Sequence, residues 1–419
     1  MKSNSRWNFR TAPPQAMKFG LKQLTLLADW ETVAISVVLP WSTSATSILI
    51  VIWLVTVMPT LNLPIIWREL KTPAGGLPVA LWLLAVFGLL WADVSWPERF
   101  GGLGSFHRLL MIPLLLAQFR RSANGWWVFY GFLASTTALM LASWGLATGL
   151  SSWQTNHVFG VVVHDAIAQS TIFLICSFAL VWAMRIFLFK QNWWMVTGLS
   201  LWAALFILNL AFVATSRAEV MVAPILIILL GWRWQKWRGA ILACVAVGSL
   251  ALAAWLSSPY LRARVQQAVD DVQIYRATGA HNDVGDHVEF IRKSLTFVRE
   301  APIIGYGTGS IPELFRRSTA GQNGAAAIQS VNPHNQILAV AIQLGLLGVA
   351  ALVAMWLAHY FLFCGISSIS WVGTIVVVDN VVSSLSSSHL FDFVHGWLYV
   401  FGVGISGGMM LGNAQGHSR

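Results

Sequence analysis

The chain's longest polar stretch meets an apolar one at Asn332-Pro333-His334-Asn335-Gln336-Ile337-Leu338. His334 is there the one side chain able to take a proton from a hydroxyl near neutral pH without prior tuning. Asn335 beside it carries donor and acceptor atoms that could orient a polyol. Two cationic groups could hold an anion. Arg217 lies in Thr215-Ser216-Arg217-Ala218-Glu219, a connection so short that its guanidinium must sit at a membrane boundary, where a charge is costly unless it meets an anion, a wet cavity or Glu219. Its planar fork suits phosphate. Arg292, with Lys293 next to it, could face the same place. A lone His is often only an interfacial cap, and a loop Arg is most often a solvated charge, so these residues gain meaning from their company.

The elements that must position them are membrane spans. A chain with 57% apolar residues, 10% charged residues and 23 Trp does not describe a soluble domain. Apolar runs of about 20 residues, the length that crosses a bilayer core, fall near 24–41, 45–62, 77–92, 103–119, 125–149, 165–188, 193–213, 218–231 and 238–256. After the polar stretch come 335–363, 368–386 and 394–411. Backbone groups must be satisfied internally in lipid, so each is expected to be helical. The expected fold is an all-α integral membrane protein of twelve transmembrane helices. Its parts are a tail over 1–23, spans one to nine over 24–256, an external loop with amphipathic helices over 257–333, spans ten to twelve over 334–411, and a short tail over 412–419.

Lys and Arg cluster in the N-terminal tail and in every second connection, which predicts that both termini are cytoplasmic and that the long loop faces the other side. The net charge of +10 is explained by those flanks and by anionic lipid, so nucleic acid is not an expected partner. Trp232-Arg233-Trp234-Gln235-Lys236-Trp237-Arg238 reads as an interfacial anchor. The tail has no signal-peptide core and is expected to be retained. Cys176, Cys244 and Cys364 lie in or beside spans and give no disulfide framework.

The 257–333 loop holds eight basic and seven acidic residues, so single positions must carry any anion specificity. Val288, Ile291, Leu295 and Val298 recur at helical spacing, predicting a helix lying on the bundle, and Pro302, Gly305 and Gly307 then predict a turn. His157, His164, His281, His287, His389 and His395 are external or nearly so, and none shows a metal-ligand spacing with another. No acidic cluster demands a divalent ion, so no metal or other cofactor is expected for the chemistry.

These residues also carry a resemblance. The run Gly285-Asp286-His287-Val288-Glu289-Phe290-Ile291-Arg292, then Ala301-Pro302-Ile303-Ile304-Gly305-Tyr306-Gly307-Thr308-Gly309, then Pro333-His334-Asn335-Gln336-Ile337-Leu338 with Leu344-Gly345-Leu346-Leu347-Gly348, resembles the core signature of the O-antigen ligase and polymerase superfamily. Ser216-Arg217-Ala218 is similar to that family's first arginine motif. Many relatives have an Arg where His287 stands, so either His287 or Arg292 would fill the second diphosphate-binding position, with Arg292 preferred by spacing and His287 and Lys293 in support.

The resemblance implies a metal-independent, inverting glycosyltransferase of the GT-C type at the periplasmic face of the bacterial inner membrane. Its donor would be an undecaprenyl-diphosphate-linked glycan and its acceptor a sugar hydroxyl of lipid A-core. His334 would be the base, with Arg217 and Arg292 on the diphosphate. An O-antigen polymerase or a protein O-oligosaccharyltransferase would need the same site. A twelve-span transporter is the rival from another class, and Asp379 and Asn380 in the eleventh span are its best support; their plainer reading is an inter-helix hydrogen bond. Oligomeric state is not expressed in these motifs.

Overall fold

The computed structural model describes residues 15–150, 160–163, 165–214 and 216–416, with the backbone alone for 15–19, 217, 260, 415 and 416. The described residues are all-helical, with no strand among them. In chain order the helices are α1 (Gln15–Val38), α2 (Thr43–Val57), α3 (Leu63–Leu70), α4 (Pro73–Gly88), α5 (Trp96–His107), α6 (Met111–Phe119), α7 (Gly125–Ala147), α8 (Ala166–Phe189), α9 (Trp193–Phe212) and α10 (Arg217–Ser257). Then follow α11 (Pro259–Thr278), α12 (Asp283–Glu300), α13 (Ile311–Thr319), α14 (Gln336–Leu362), α15 (Ser368–Ser383) and α16 (Phe393–Gly416). Their starts are written locally. Ser42, Asn62, Thr72, Asp165, Asn335 and Ser367 each accept a hydrogen bond from the backbone N–H three residues on, closing the first turn.

Each of the twelve expected segments falls on a helix, but eight helices among the described residues are long and apolar enough to cross a membrane, or nine if the bent α3–α4 pair is one span. The reasons for the difference are particular. The first segment carries Asp29 and Glu31; α3 and α4 meet at 89°; and α15 has only 16 residues. Segments eight and nine merge in α10, whose helical geometry breaks at Gln235 and Lys236. A Cβ on Gly231 would lie 2.3 Å from the Gly239 carbonyl oxygen. Eight residues along a straight helix span about 12 Å, so the chain doubles back here and the two glycines let the backbones touch.

Charged residues inside the bundle are tied down. Asp29, 3% exposed, accepts hydrogen bonds from Gln118, Ser122 and Asn124, and Gln118 accepts in turn from the Trp53 indole at 2.8 Å. Such contacts hold helices together where lipid removes the hydrophobic drive.

The loop segment docks into a break in α14. Gly345 leaves helical geometry at φ 61°, ψ −161°, which frees the carbonyls of Ile342 and Gln343 to accept from the N–H groups of Tyr306 and Gly307 at 2.8 and 2.9 Å. The N–H groups of Leu346 and Leu347 donate back to Pro302 and Ile303. The glycine-rich turn therefore completes a broken helix. A Cβ on Gly345 would lie 2.2 Å from the Ile303 oxygen in a backbone region that L residues avoid. Gly345→Ala should cost about 1–3 kcal/mol from strain alone and lower the melting temperature of the purified protein. Gly104→Ala, where a Cβ meets nothing within 4 Å, should not.

The expected helix over the loop is α12, and the turn after it is present, but its buried face is not the expected one. Val288, Ile291 and Leu295 are 39%, 46% and 42% exposed. Phe290 and Phe297 instead pack on Phe315 of α13 and on Ala339 and Ile342 of α14, with Val298 at the edge. Two aromatic rings seven residues apart bury more apolar area than the aliphatic stripe and set the register.

Candidate functional site

His334 sits on a tight turn that its neighbours impose. Pro333 keeps Asn332 out of helical geometry, and the Asn332 side chain folds over to accept the His334 N–H at 2.9 Å. The same oxygen accepts from Ser388 Oγ at 2.7 Å. His334 is thereby held at φ 54°, one of three non-glycine residues with positive φ among the described residues. An L residue gives up about 1–2 kcal/mol there. Asn335, at the N-cap of α14, spends its Oδ1 on the Leu338 N–H and its Nδ2 on the Leu385 carbonyl. Its place is structural: it fastens the turn to the 384–390 segment, where Gln336 also bonds.

The ring of His334 stacks on Phe290 at 5.4 Å between centroids and 22° between planes, and the His287 ring lies 5.2 Å away. Neither ring nitrogen is hydrogen-bonded to a described residue, whereas His287 Nδ1 donates to the Asp283 carbonyl at 2.7 Å. Burial is the largest influence on His334 and pushes its pKa below 6.5; the nearby His287 adds to this and Asp392 opposes it. A half-buried, neutral imidazole with free nitrogens is what a general base needs. If it is the base, turnover should hold as pH falls through 6.5 and decline only below it, because the neutral form is favoured. His287→Ala removes one lowering influence and should move that acid limb upward, which a pH profile at saturating donor would reveal.

The other expected residues are distributed unevenly. The Arg217 side chain lies outside the described residues, as do His157 and His164; the backbone of Arg217 opens α10. Arg292 is 60% exposed, with Nε and Nη2 donating to Glu289 Oε2 at 3.0 and 2.7 Å. Two residues from Phe290, it points to the opposite side of α12 from the ring that touches His334. His287, three residues from Phe290, lies on the His334 side. Lys293 is buried, donates to the Ala326 carbonyl, and is held below its ordinary pKa by burial. Glu289 accepts from Tyr275 at 2.5 Å as well as from Arg292, and stays below the usual carboxylate range despite burial. A cleft of about 330 Å³ is lined by Asn332 and Pro333 together with Gly102, Ser105, Gln343 and Ser388, and His334 is not one of its lining residues.

Sequence reasoning missed a second polar group deeper in the bundle. Glu219 of α10 is fully buried, accepts from Thr171 of α8 at 2.5 Å and faces the carboxyl of Asp379 in α15. Thr171 also bonds His395 Nε2 at 3.1 Å. His389 and His395, which show no ligand spacing in sequence, have rings 4.0 Å apart, with Asp392 between them in sequence. The residues converge only in space, Thr171 and His395 being 224 positions apart. Asp379 of α15 meets Glu219 of α10, as the interhelical reading has it, while Asn380 Oδ1 and Nδ2 have no partner among the described residues.

Residues 199–353 match the protein family described as O-antigen ligase. That range contains Arg217, the α12 motif, the glycine-rich turn, His334 and the break at Gly345, and it bears out the resemblance to the O-antigen ligase and polymerase superfamily. No curated protein matches the chain.

Proposed function

We propose that this integral membrane protein with an O-antigen ligase domain transfers a glycan from undecaprenyl diphosphate to a sugar hydroxyl of lipid A-core, at the periplasmic face of the inner membrane. The observation that carries the proposal is His334: an imidazole whose nitrogens are hydrogen-bonded to no described residue and whose pKa burial lowers, held on a strained turn at the start of α14. In this reading the chain crosses the membrane twelve times in a GT-C arrangement, with both termini cytoplasmic and the 257–333 segment outside. His334 takes the proton of the acceptor hydroxyl as its oxygen attacks the anomeric carbon. The bond to the diphosphate breaks with inversion, and Arg217 stabilises the charge that develops on the leaving group. His287, beside His334, takes the second diphosphate-binding position, while Arg292 stays paired with Glu289. The chemistry asks for no metal.

The test is a reconstituted transfer with purified protein, undecaprenyl-diphosphate glycan and lipid A-core in EDTA. Conversion of the core to a glycan-bearing band supports the ligase. Lengthening of the donor's own glycan with the core untouched would replace it with the polymerase reading, and transfer only to a Ser or Thr hydroxyl of added polypeptide would replace it with a protein oligosaccharyltransferase.

A further inference from the structure

We propose that His389, Asp392 and His395, at the start of α16, form a binding site for a transition-metal dication of the zinc type, separate from the transfer chemistry. Three ligand atoms, one from each residue, lie within 4.8 Å of one another. His389 Nδ1 and Asp392 Oδ2 are 3.0 Å apart, and His395 Nδ1 and the same oxygen 3.9 Å. Metal bonds of about 2.0–2.1 Å in a tetrahedron set neighbouring ligand atoms about 3.4 Å apart, so the two spacings bracket the required one.

A plain hydrogen bond from His389 to Asp392 accounts for only part of this. Thr171 Oγ1 lies 2.5 Å from Glu219 Oε1 and 3.1 Å from His395 Nε2, so the Nε2 side of the His395 ring is engaged. Its Nδ1 faces the Asp392 carboxylate at 3.9 Å, longer than a hydrogen bond and open to an ion between them. The Glu219–Thr171–His395 chain is the kind of outer support that orients a metal-ligating imidazole. Around it, His389 Nε2, Glu219 Oε2 and Asp379 Oδ1 are buried without a hydrogen-bond partner among the described residues. Arg108 does reach the Asp392 backbone carbonyl. Asp392, with 39% of its side chain exposed, leaves a path for the ion to enter.

The experiment is spectroscopic and needs no turnover, so it stands apart from the fate of the ligase reading. Purified full-length protein, stripped with EDTA, is titrated with Co²⁺. The expected result is tetrahedral d–d absorption reaching its endpoint at one equivalent, removed by Zn²⁺ and absent in His395→Ala. Asp392→Cys should keep the site and add a thiolate-to-cobalt charge-transfer band in the near ultraviolet that the wild type, with its three native cysteines, lacks. That gained signal decides the matter if His395→Ala does not fold. Wild-type protein that shows no d–d bands under excess Co²⁺ overturns the proposal, as do bands indifferent to both substitutions; a proton then occupies the space.

Discussion

Replacement of His334 by Ala is expected to reduce the transfer rate by about 10²–10⁴-fold, the scale of a lost general base, with donor affinity little changed. The imidazole is not hydrogen-bonded to any described residue, so its removal leaves no orphaned partner, and the turn that holds it is built by Asn332, Pro333 and Ser388. Ala keeps the Cβ that makes φ 54° costly, so the backbone strain is about the same in the variant. Loss of rate with an unchanged melting temperature would therefore report chemistry. His334→Gln keeps a polar group but accepts no proton, and should be as slow as Ala. A single-turnover rate within a few fold of wild type in either variant would remove His334 from the base role and send the search to His287, 5.2 Å away. Phe290→Ala provides an intermediate case. It removes the stacked ring that helps desolvate His334, and should raise the acid limb of the pH profile with a smaller loss of rate at neutral pH.

His334 was legible in the sequence because one titratable type stood at a polar-to-apolar boundary, and boundaries follow from composition. What surrounds it was not legible. Phe290 touches it because α12 turns its aromatic pair inward, and the aliphatic residues Val288, Ile291 and Leu295 gave an equally good helical period for the wrong face. Periodicity identifies a helix and ranks faces by apolar count, whereas docking ranks them by the area and shape they bury. The two spans read over 218–231 and 238–256 reappear as a hairpin, broken at Gln235 and Lys236 and closed by Gly231 on Gly239, whereas α1 with Asp29 and Glu31 and the 16-residue α15 fall short of a span by length and apolarity alone. Gly305, Gly307, Gly309 and Gly345 were read as a motif, which they are, but their work is to let two backbones exchange hydrogen bonds across a broken helix. The Glu219, Asp379, His389 and His395 group is assembled from α10, α15, the connection before α16 and α16 itself, and no local pattern announces it.

Arg217→Ala should lower kcat/KM for the donor by about 10²–10³-fold, the cost of a lost charge-stabilising contact to a leaving group. The argument rests on where the residue is placed. Arg217 opens α10 after Ser216, whose hydroxyl makes no cap bond and is buried with no partner among the described residues, so no described side chain caps the first N–H groups of the helix. Those N–H groups and the helix dipole favour an anion at this end. Glu219, two residues on, is turned into the buried cluster with Thr171 and Asp379. Arg217→Lys keeps the charge and loses the fork, and should recover only part of the rate. Arg292→Ala is the informative contrast. Its guanidinium is exposed and held by Glu289, and a pair of that kind contributes about 0–1 kcal/mol, so the loss should stay below about tenfold. Equal losses in the two variants would mean that Arg292 leaves Glu289 when the donor arrives; unchanged kinetics in Arg217→Ala would mean that the diphosphate is held by other groups.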